Sequence, residues 1–228
     1  MDRRRMATEP PIVGHYSCGH HVTISDVESS RDLRLLGVYG SSLQEIDRKK
    51  AAKMGPSDKW LLDSKLTGSS ALFLSEAFYL TYALGYMQIV YRDSKEPIDI
   101  GTIWSKFRQI KADSCSRLDF ALEYGVYHYF KSRDWVVKTG HNYGTHFMLY
   151  REGPPTDHAK YAVYIIDQNC GTPKWDALLT LQRVVQSVCK QLLLVYVTSS
   201  ADKSSPSCIR SFQIAVRAFE NKLDLISS

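Results

Sequence analysis

The chain has 228 residues, 44% of them apolar and 23% charged. Those fractions exclude a disordered or fibrous chain, and the length suits one large domain or two small ones, each able to bury a core without cross-links. Lys and Arg number 29 and Asp and Glu 24, a net charge of +5, which permits an anionic partner such as nucleic acid without demanding one.

No run approaches the roughly 18 apolar residues of a membrane span. Met1 to Met6 is basic but leads into no apolar stretch, so it is not read as a secretory signal. Residues 1–19, with Pro10-Pro11 and little periodicity, read as a flexible tail. The five cysteines are scattered with no CxxC pair, which suits a reducing, intracellular compartment. Cys18-Gly19-His20-His21 has metal-ligand residue types, but no second cluster completes four ligands, so no metal and no cofactor are expected.

His20 to Ile24 is expected to be a short strand. Ser25-Asp26-Val27-Glu28 reads as a capping box, with Ser25 as the cap, opening a helix that runs to Leu36 and stops at Gly37. Residues 40–70, with Gly55-Pro56 and Gly68-Ser69-Ser70, read as mostly connection with room for one short helix. A second helix is expected from Ser70, with Leu74, Ala77, Phe78 and Tyr82 on its apolar side and Gly85 at its end. Met87 to Tyr91 reads as a strand. Pro97 and Asp99 open a third helix with Ile100, Ile103, Trp104, Phe107 and Ile110 at helical spacing. The pattern breaks around 111–117, which divides an N-terminal α/β domain at 20–112 from a C-terminal domain at 117–228.

In the second half, Leu118 to Ser132 reads as a helix. Trp135–Lys138 and Thr145–Arg151 read as strands joined through Gly140 to Gly144, and Tyr161–Ile166 as another. Asp176 is expected to cap a helix from Ala177 to about Lys190. Leu192–Val197, nearly all apolar, reads as an interior strand, and Phe212–Phe219 as the last. The fold class is therefore α/β (α+β), a mixed sheet with helices packed on it following a smaller α/β domain.

Several residues carry chemistry. Tyr150 ends a strand, and His158 follows across a loop stiffened by Pro154 and Pro155. Alone they read as an amphipathic edge tyrosine and a solvated loop histidine, or as an acid–base pair. Arg183 and Lys190, two turns apart, lie on one helix side, either a solvated face or cations held for a ligand. Arg217 and Phe219 share one face of the last strand, either as edge protection or as a platform on which a nucleobase stacks.

Together these segments resemble the tRNA-splicing (tRNA-intron) endonuclease family. The resemblance runs from about residue 71 to 219. It rests on Leu74-Ser75-Glu76-Ala77-Phe78-Tyr79-Leu80, Tyr127 to Ser132, Trp135 to Gly140, Tyr143-Gly144, Leu149 to Pro155, His158-Ala159 and Leu181 to Lys190, in family order. The Gly153-Pro154-Pro155 block is similar to the eukaryotic catalytic subunit that cuts the 5′ splice site. The alternatives are the subunit that cuts the 3′ site, and a non-catalytic RNA-binding or assembly subunit. His146 stands where an aspartate is common in the family.

The resemblance implies a C-terminal restriction-endonuclease-like domain. Its catalytic residues would be Tyr150, His158 and Lys190. Arg183 would flank an extruded bulge base, with Arg217 and Phe219 as further RNA-binding residues. It implies precursor tRNA as substrate, other endonuclease subunits as partners in a heterotetramer, and the nucleus as location. The implied reaction needs no metal: attack by the RNA 2′-hydroxyl gives a 2′,3′-cyclic phosphate and a 5′-hydroxyl. A free tyrosine titrates near about 10, so Lys190 is expected to lower Tyr150 toward the working range.

Overall fold

A computed structural model describes residues 12–17, 19–42, 70–113, 118–154, 157–171, 173–199 and 202–219. The chain divides into two compact units, 1–110 and 111–228. The expected connection at 43–69, most of the tail (1–11) and Cys18 of the candidate ligand cluster lie outside the described residues.

The first unit holds a five-stranded mixed sheet in the order β3-β4-β2-β1-β5. Its strands are β1 (Ile12–Tyr16), β2 (His21–Ile24), β3 (Ser41–Ser42), β4 (Ser70–Phe73) and β5 (Met87–Tyr91). β1 pairs antiparallel with β2 and parallel with β5. Residues 12–16, read from sequence as tail, are thus an interior strand. Gly14 is the reason for the weak pattern: a Cβ there would stand 2.8 Å from Val22 Cγ1 and 3.0 Å from Met87 Sδ, so neighbouring side chains fill the space its own would take.

Helix α1 (Val27–Gly37) is capped by Asp26, whose carboxylate accepts from the Ser29 amide at 2.7 Å, and not by Ser25. It stops at Val38, left-handed at φ 58°, and not at Gly37. The helix expected from Ser70 begins later: Ser70–Phe73 pairs with β2 as β4, and α2 (Leu74–Phe78) follows, continued by a π turn over Tyr79–Ala83. Pairing to β2 overrides the helical spacing there. Helix α3 (Ile100–Asp113) starts as expected, with Asp99 Oδ2 accepting from the Gly101 and Thr102 amides. Phe78, Trp104, Phe107 and Tyr16 form an aromatic core with ring centroids 5.2–6.4 Å apart.

The second unit holds a sheet in the order β10-β9-β8-β7-β6. The strands are β6 (Val136–Thr139), β7 (Phe147–Tyr150), β8 (Tyr161–Asp167), β9 (Gln191–Thr198) and β10 (Gln213–Ala218). All neighbours are antiparallel except β8 and β9, which are parallel and joined through α5 (Trp175–Ser187). Helix α4 (Phe120–Lys131) is buried nearly all round, from Phe120 to Tyr127, as expected for a helix inside a core. Its Tyr127 ring meets Phe147 edge to face at 5.9 Å. The next residue along β7, Met148, points to the opposite face and packs with Leu178 and Val185 of α5. The sheet is therefore covered by α4 on one side and α5 on the other. α5 begins at Trp175, one residue before the expected cap Asp176, and Lys174 at its start makes no side-chain cap.

Candidate active site

The sheet register gathers the chemistry. Leu149 of β7 stands opposite Tyr161 of β8, and Tyr161 opposite Gln191 of β9. Two main-chain bonds continue this row outward: the Lys160 amide donates to the Leu149 carbonyl at 2.9 Å, and the Gln191 amide to the Lys160 carbonyl at 3.2 Å. One residue further out on each strand come Tyr150, Lys160 and Lys190. The three lie side by side at one end of the sheet, although 40 positions separate the first from the last in sequence.

Tyr150 is half-buried against the apolar cluster beneath α5, which includes Met148, Ala159, Leu192 and the partly buried Tyr143. His158 adjoins Ala159 of that cluster. It is itself exposed, and its amide donates to Asp157 Oδ1 at 2.8 Å.

Lys190 is held by the end of α5. Its amide reaches back to the Val185 carbonyl at 3.2 Å, and the Cys189 amide to Gln186 at 2.8 Å, with Cys189 left-handed at φ 55°. Two such bonds around a left-handed residue fix where the chain leaves a helix. The Lys190 Nζ donates to the Val188 carbonyl at 3.1 Å.

Burial, and then the neighbouring Tyr143 phenol, push Tyr150 above its ordinary value. This corrects the expectation that Lys190 lowers it. The ammonium is bonded to its own helix end, and desolvation of the phenolate governs.

The remaining sequence-derived residues divide. Phe219 stands at the same end of the sheet: its amide donates to the Leu192 carbonyl at 2.9 Å and its ring packs against the α5-side cluster. The exposed Trp175 meets it edge to face at 5.4 Å. Arg217 lies opposite Leu194, two residues further into the sheet and on the same face. Arg183 is exposed on α5, one turn before its end.

Lys160 was not found from sequence, because it belongs to no motif and only the register sets it between Tyr150 and Lys190. The Arg151 guanidinium, next to Tyr150, lies 4.0 Å over the Trp135 ring. Among the described residues no three His, Cys, Asp or Glu side chains gather as a metal site, and no helix is long and apolar enough to cross a membrane.

A phenol, an imidazole on a loop and an ammonium at one sheet end can serve proton transfer and charge neutralisation at a phosphate. The chain is 39% identical over 155 residues to the tRNA-splicing endonuclease subunit Sen2 of Rattus norvegicus, covering 63% of this chain and 32% of that protein. It is 36% identical over 155 residues to the Sen2 subunit of Gallus gallus, with the same coverage. It is 30% identical over 150 residues to the Sen2-1 subunit of Arabidopsis thaliana, covering 63% of this chain and 60% of that protein. The chain thus spans about a third of the length of the animal relatives. Residues 120–205 match the family described as tRNA intron endonuclease, catalytic C-terminal domain. The matched segment is the one that carries α4, the strands from β6 to β9, Tyr150, His158 and Lys190.

Proposed function

We propose that this chain is a catalytic subunit of a tRNA-splicing endonuclease that cuts precursor tRNA at an intron boundary, the 5′ splice site. The observation that carries this reading is the single row formed by Tyr150, Lys160 and Lys190, with His158 two residues from Lys160. It works with other endonuclease subunits in a heterotetramer, in the nucleus. The relatives are named as subunits, which supports the assembly.

RNA supplies the nucleophile. Tyr150 accepts the proton of the 2′-hydroxyl, and the 2′-oxygen attacks phosphorus. The bond to the 5′-oxygen breaks, and His158 gives that oxygen a proton. Lys190 neutralises the non-bridging oxygens as charge builds. The products are a 2′,3′-cyclic phosphate and a 5′-hydroxyl, and no step requires a metal. Because burial raises Tyr150, its phenolate is scarcer than in a free tyrosine but a stronger base. The Lys190 ammonium gives one N–H to the Val188 carbonyl and keeps two for the phosphate oxygens.

Substrate choice follows from shape. A bulge offers unstacked bases and a backbone free to align in line, which a duplex denies. Arg183 stacks on one extruded base, with Phe219 and Arg217 on the strand beside it.

The test is reconstitution of the chain with its partner subunits and a bulge–helix–bulge RNA. Cutting at the 5′ boundary, unaffected by chelator, with a cyclic phosphate on the upstream product, is expected. Cutting at the 3′ boundary would reassign the subunit. Equal cutting by the Tyr150→Phe complex would make the chain an assembly subunit.

A further inference from the structure

An open groove of about 580 Å³ runs along α5 beside the 3-10 turn His141–Tyr143. Asn142 and Tyr143 form one wall, and Asp176, Thr180, Leu181 and Val184 the other. Ala177, Thr180, Leu181 and Val184 recur at helical spacing, so they make one stripe about 10 Å long. Arg183 does not line the groove, although it lies on the same helix two turns after Asp176.

Two observations tie the groove to the cleavage chemistry. Tyr143 lines it and also packs in the cluster that half-buries Tyr150. The two phenols are near enough to act on each other electrostatically. A ligand in the groove therefore lies beside the group that would take the 2′-hydroxyl proton. The lining says which ligand. Tyr143 offers an aromatic face, Leu181 and Val184 apolar walls, and Asn142 an amide. Asp176 is exposed in the first turn of α5, and no salt bridge to it is found among the described residues. A carboxylate repels phosphate and accepts from the N–H groups of a base. The groove is open to solvent, and its apolar wall with few polar groups suits one face of a small planar ligand.

We propose that this groove is a nucleotide subsite: it holds the base of the nucleotide whose 2′-hydroxyl is activated, stacked on Tyr143 with its N–H edge toward Asp176. This rests on the endonuclease reading above and extends it to a specific nucleotide. It gives the enzyme a second base contact beside the one assigned to Arg183.

The test is a double-mutant cycle on the reconstituted complex. Thr180 is exposed, and its hydroxyl bonds only its own helix, to the Asp176 carbonyl at 2.8 Å. Thr180→Met keeps a good helix former and fills the groove. The RNA partner is the same bulge–helix–bulge substrate with an abasic residue at the attacking nucleotide, its 2′-hydroxyl retained. Loss of a stacked base is expected to lower kcat/KM about tenfold. Thr180→Met is expected to do the same on intact RNA, and the two changes together should cost no more than either alone.

Additive losses, or an abasic RNA cut as fast as the intact one, would overturn the subsite and leave the endonuclease standing. So would failure of the Thr180→Met subunit to enter the complex by size-exclusion chromatography, which would make the groove a protein contact. If the wild-type complex does not cut intact RNA, the function itself falls and the subsite with it.

Discussion

The main-chain amide of Lys190 is tied to the carbonyl of Val185, 3.2 Å away across the end of α5. That bond delivers the lysine to the outer row of the sheet, and it closes only because Cys189, between them, takes the left-handed conformation at φ 55°. A side chain at such a φ costs about 1 kcal/mol relative to glycine. Cys189→Gly should therefore stabilise the protein by up to about 1 kcal/mol, less what glycine adds to the freedom of the unfolded chain. A rise in the thermal midpoint with cleavage retained is expected. A fall would mean that the Cys189 side chain contributes contacts that outweigh the strain.

Burial of Tyr150 sets the pH behaviour of the reaction. Its phenol titrates above the ordinary value of 10.0, so the ionised fraction keeps rising through the neutral and mildly alkaline range. Because His158 must carry a proton when Tyr150 has lost its own, kcat/KM should follow the product of the two fractions and not the phenolate alone, rising with pH and then levelling off. A Tyr150→Phe complex that keeps both the rate and the pH profile would remove Tyr150 as the base. Because the Lys190 ammonium rests on Val188, Lys190→Ala should lower the rate at every pH without moving that rising limb.

His158 is exposed, and none of its side-chain atoms is held by a hydrogen bond to the described residues. Its removal should leave the fold alone. His158→Ala is expected to reduce cleavage roughly 10²- to 10⁴-fold, the usual worth of a general acid, while filter binding of precursor tRNA stays within about twofold. Loss of binding in parallel with cleavage would assign the imidazole to RNA contact instead.

His146 gives an acid-sensitivity that is separate from catalysis. It is half-buried, its ring tilted against Tyr164 at 5.0 Å, and its Nδ1 accepts from the Ile165 amide at 3.0 Å. Burial, opposed by the Glu123 carboxylate and aided by the Lys111 ammonium, lowers its pKa from 6.5 to about 4. The unfolded chain therefore binds the proton more readily, and stability that is whole above pH 6.5 is lost as pH falls toward 4. The loss is about 3 kcal/mol over the window. Urea midpoints at pH 7 and pH 5 should differ in the native chain and converge in His146→Asn, which keeps an acceptor but cannot titrate. Equal pH sensitivity in both would place the effect on other groups.

Gly140 fixes the turn that carries Tyr143. A Cβ there would overlap Thr145 Oγ1 and come within 3.0 Å of the Phe147 carbonyl oxygen. Gly140→Ala should cost about 1–3 kcal/mol, as overpacking does. It should also slow cleavage through displacement of Tyr143. Chemical denaturation and a cleavage assay on the same preparation would read both.

The legible parts of the sequence are those where one local rule acts unopposed. Asp99 before a helical repeat opens α3, and alternating or continuous apolar runs mark β5, β8 and β9. The illegible parts are those where a distant segment decides. β1 has Gly14 where an apolar side chain would have signalled it, and β4 carries helical spacing that pairing with β2 overrides. Adjacent capping candidates, Ser25 and Asp26, differ only in which side chain the turn aims at an amide. At the site, a family resemblance pointed to Tyr150, His158 and Lys190. Lys160 carries no such signature, since its place follows from the pairing of β7, β8 and β9. The raised pKa of Tyr150 was equally hidden, because burial is a property of the packed cluster and not of the motif.

The parallel step from β8 to β9 makes length itself a constraint. Residues between Asp167 and Trp175 can be gained or lost without altering which rung the lysine occupies. One residue inserted between Val185 and Gln191 would shift it by a single pleat and turn its side chain to the other surface. Family members can therefore be expected to vary in the entry to this crossover and to keep a fixed count of residues at its exit.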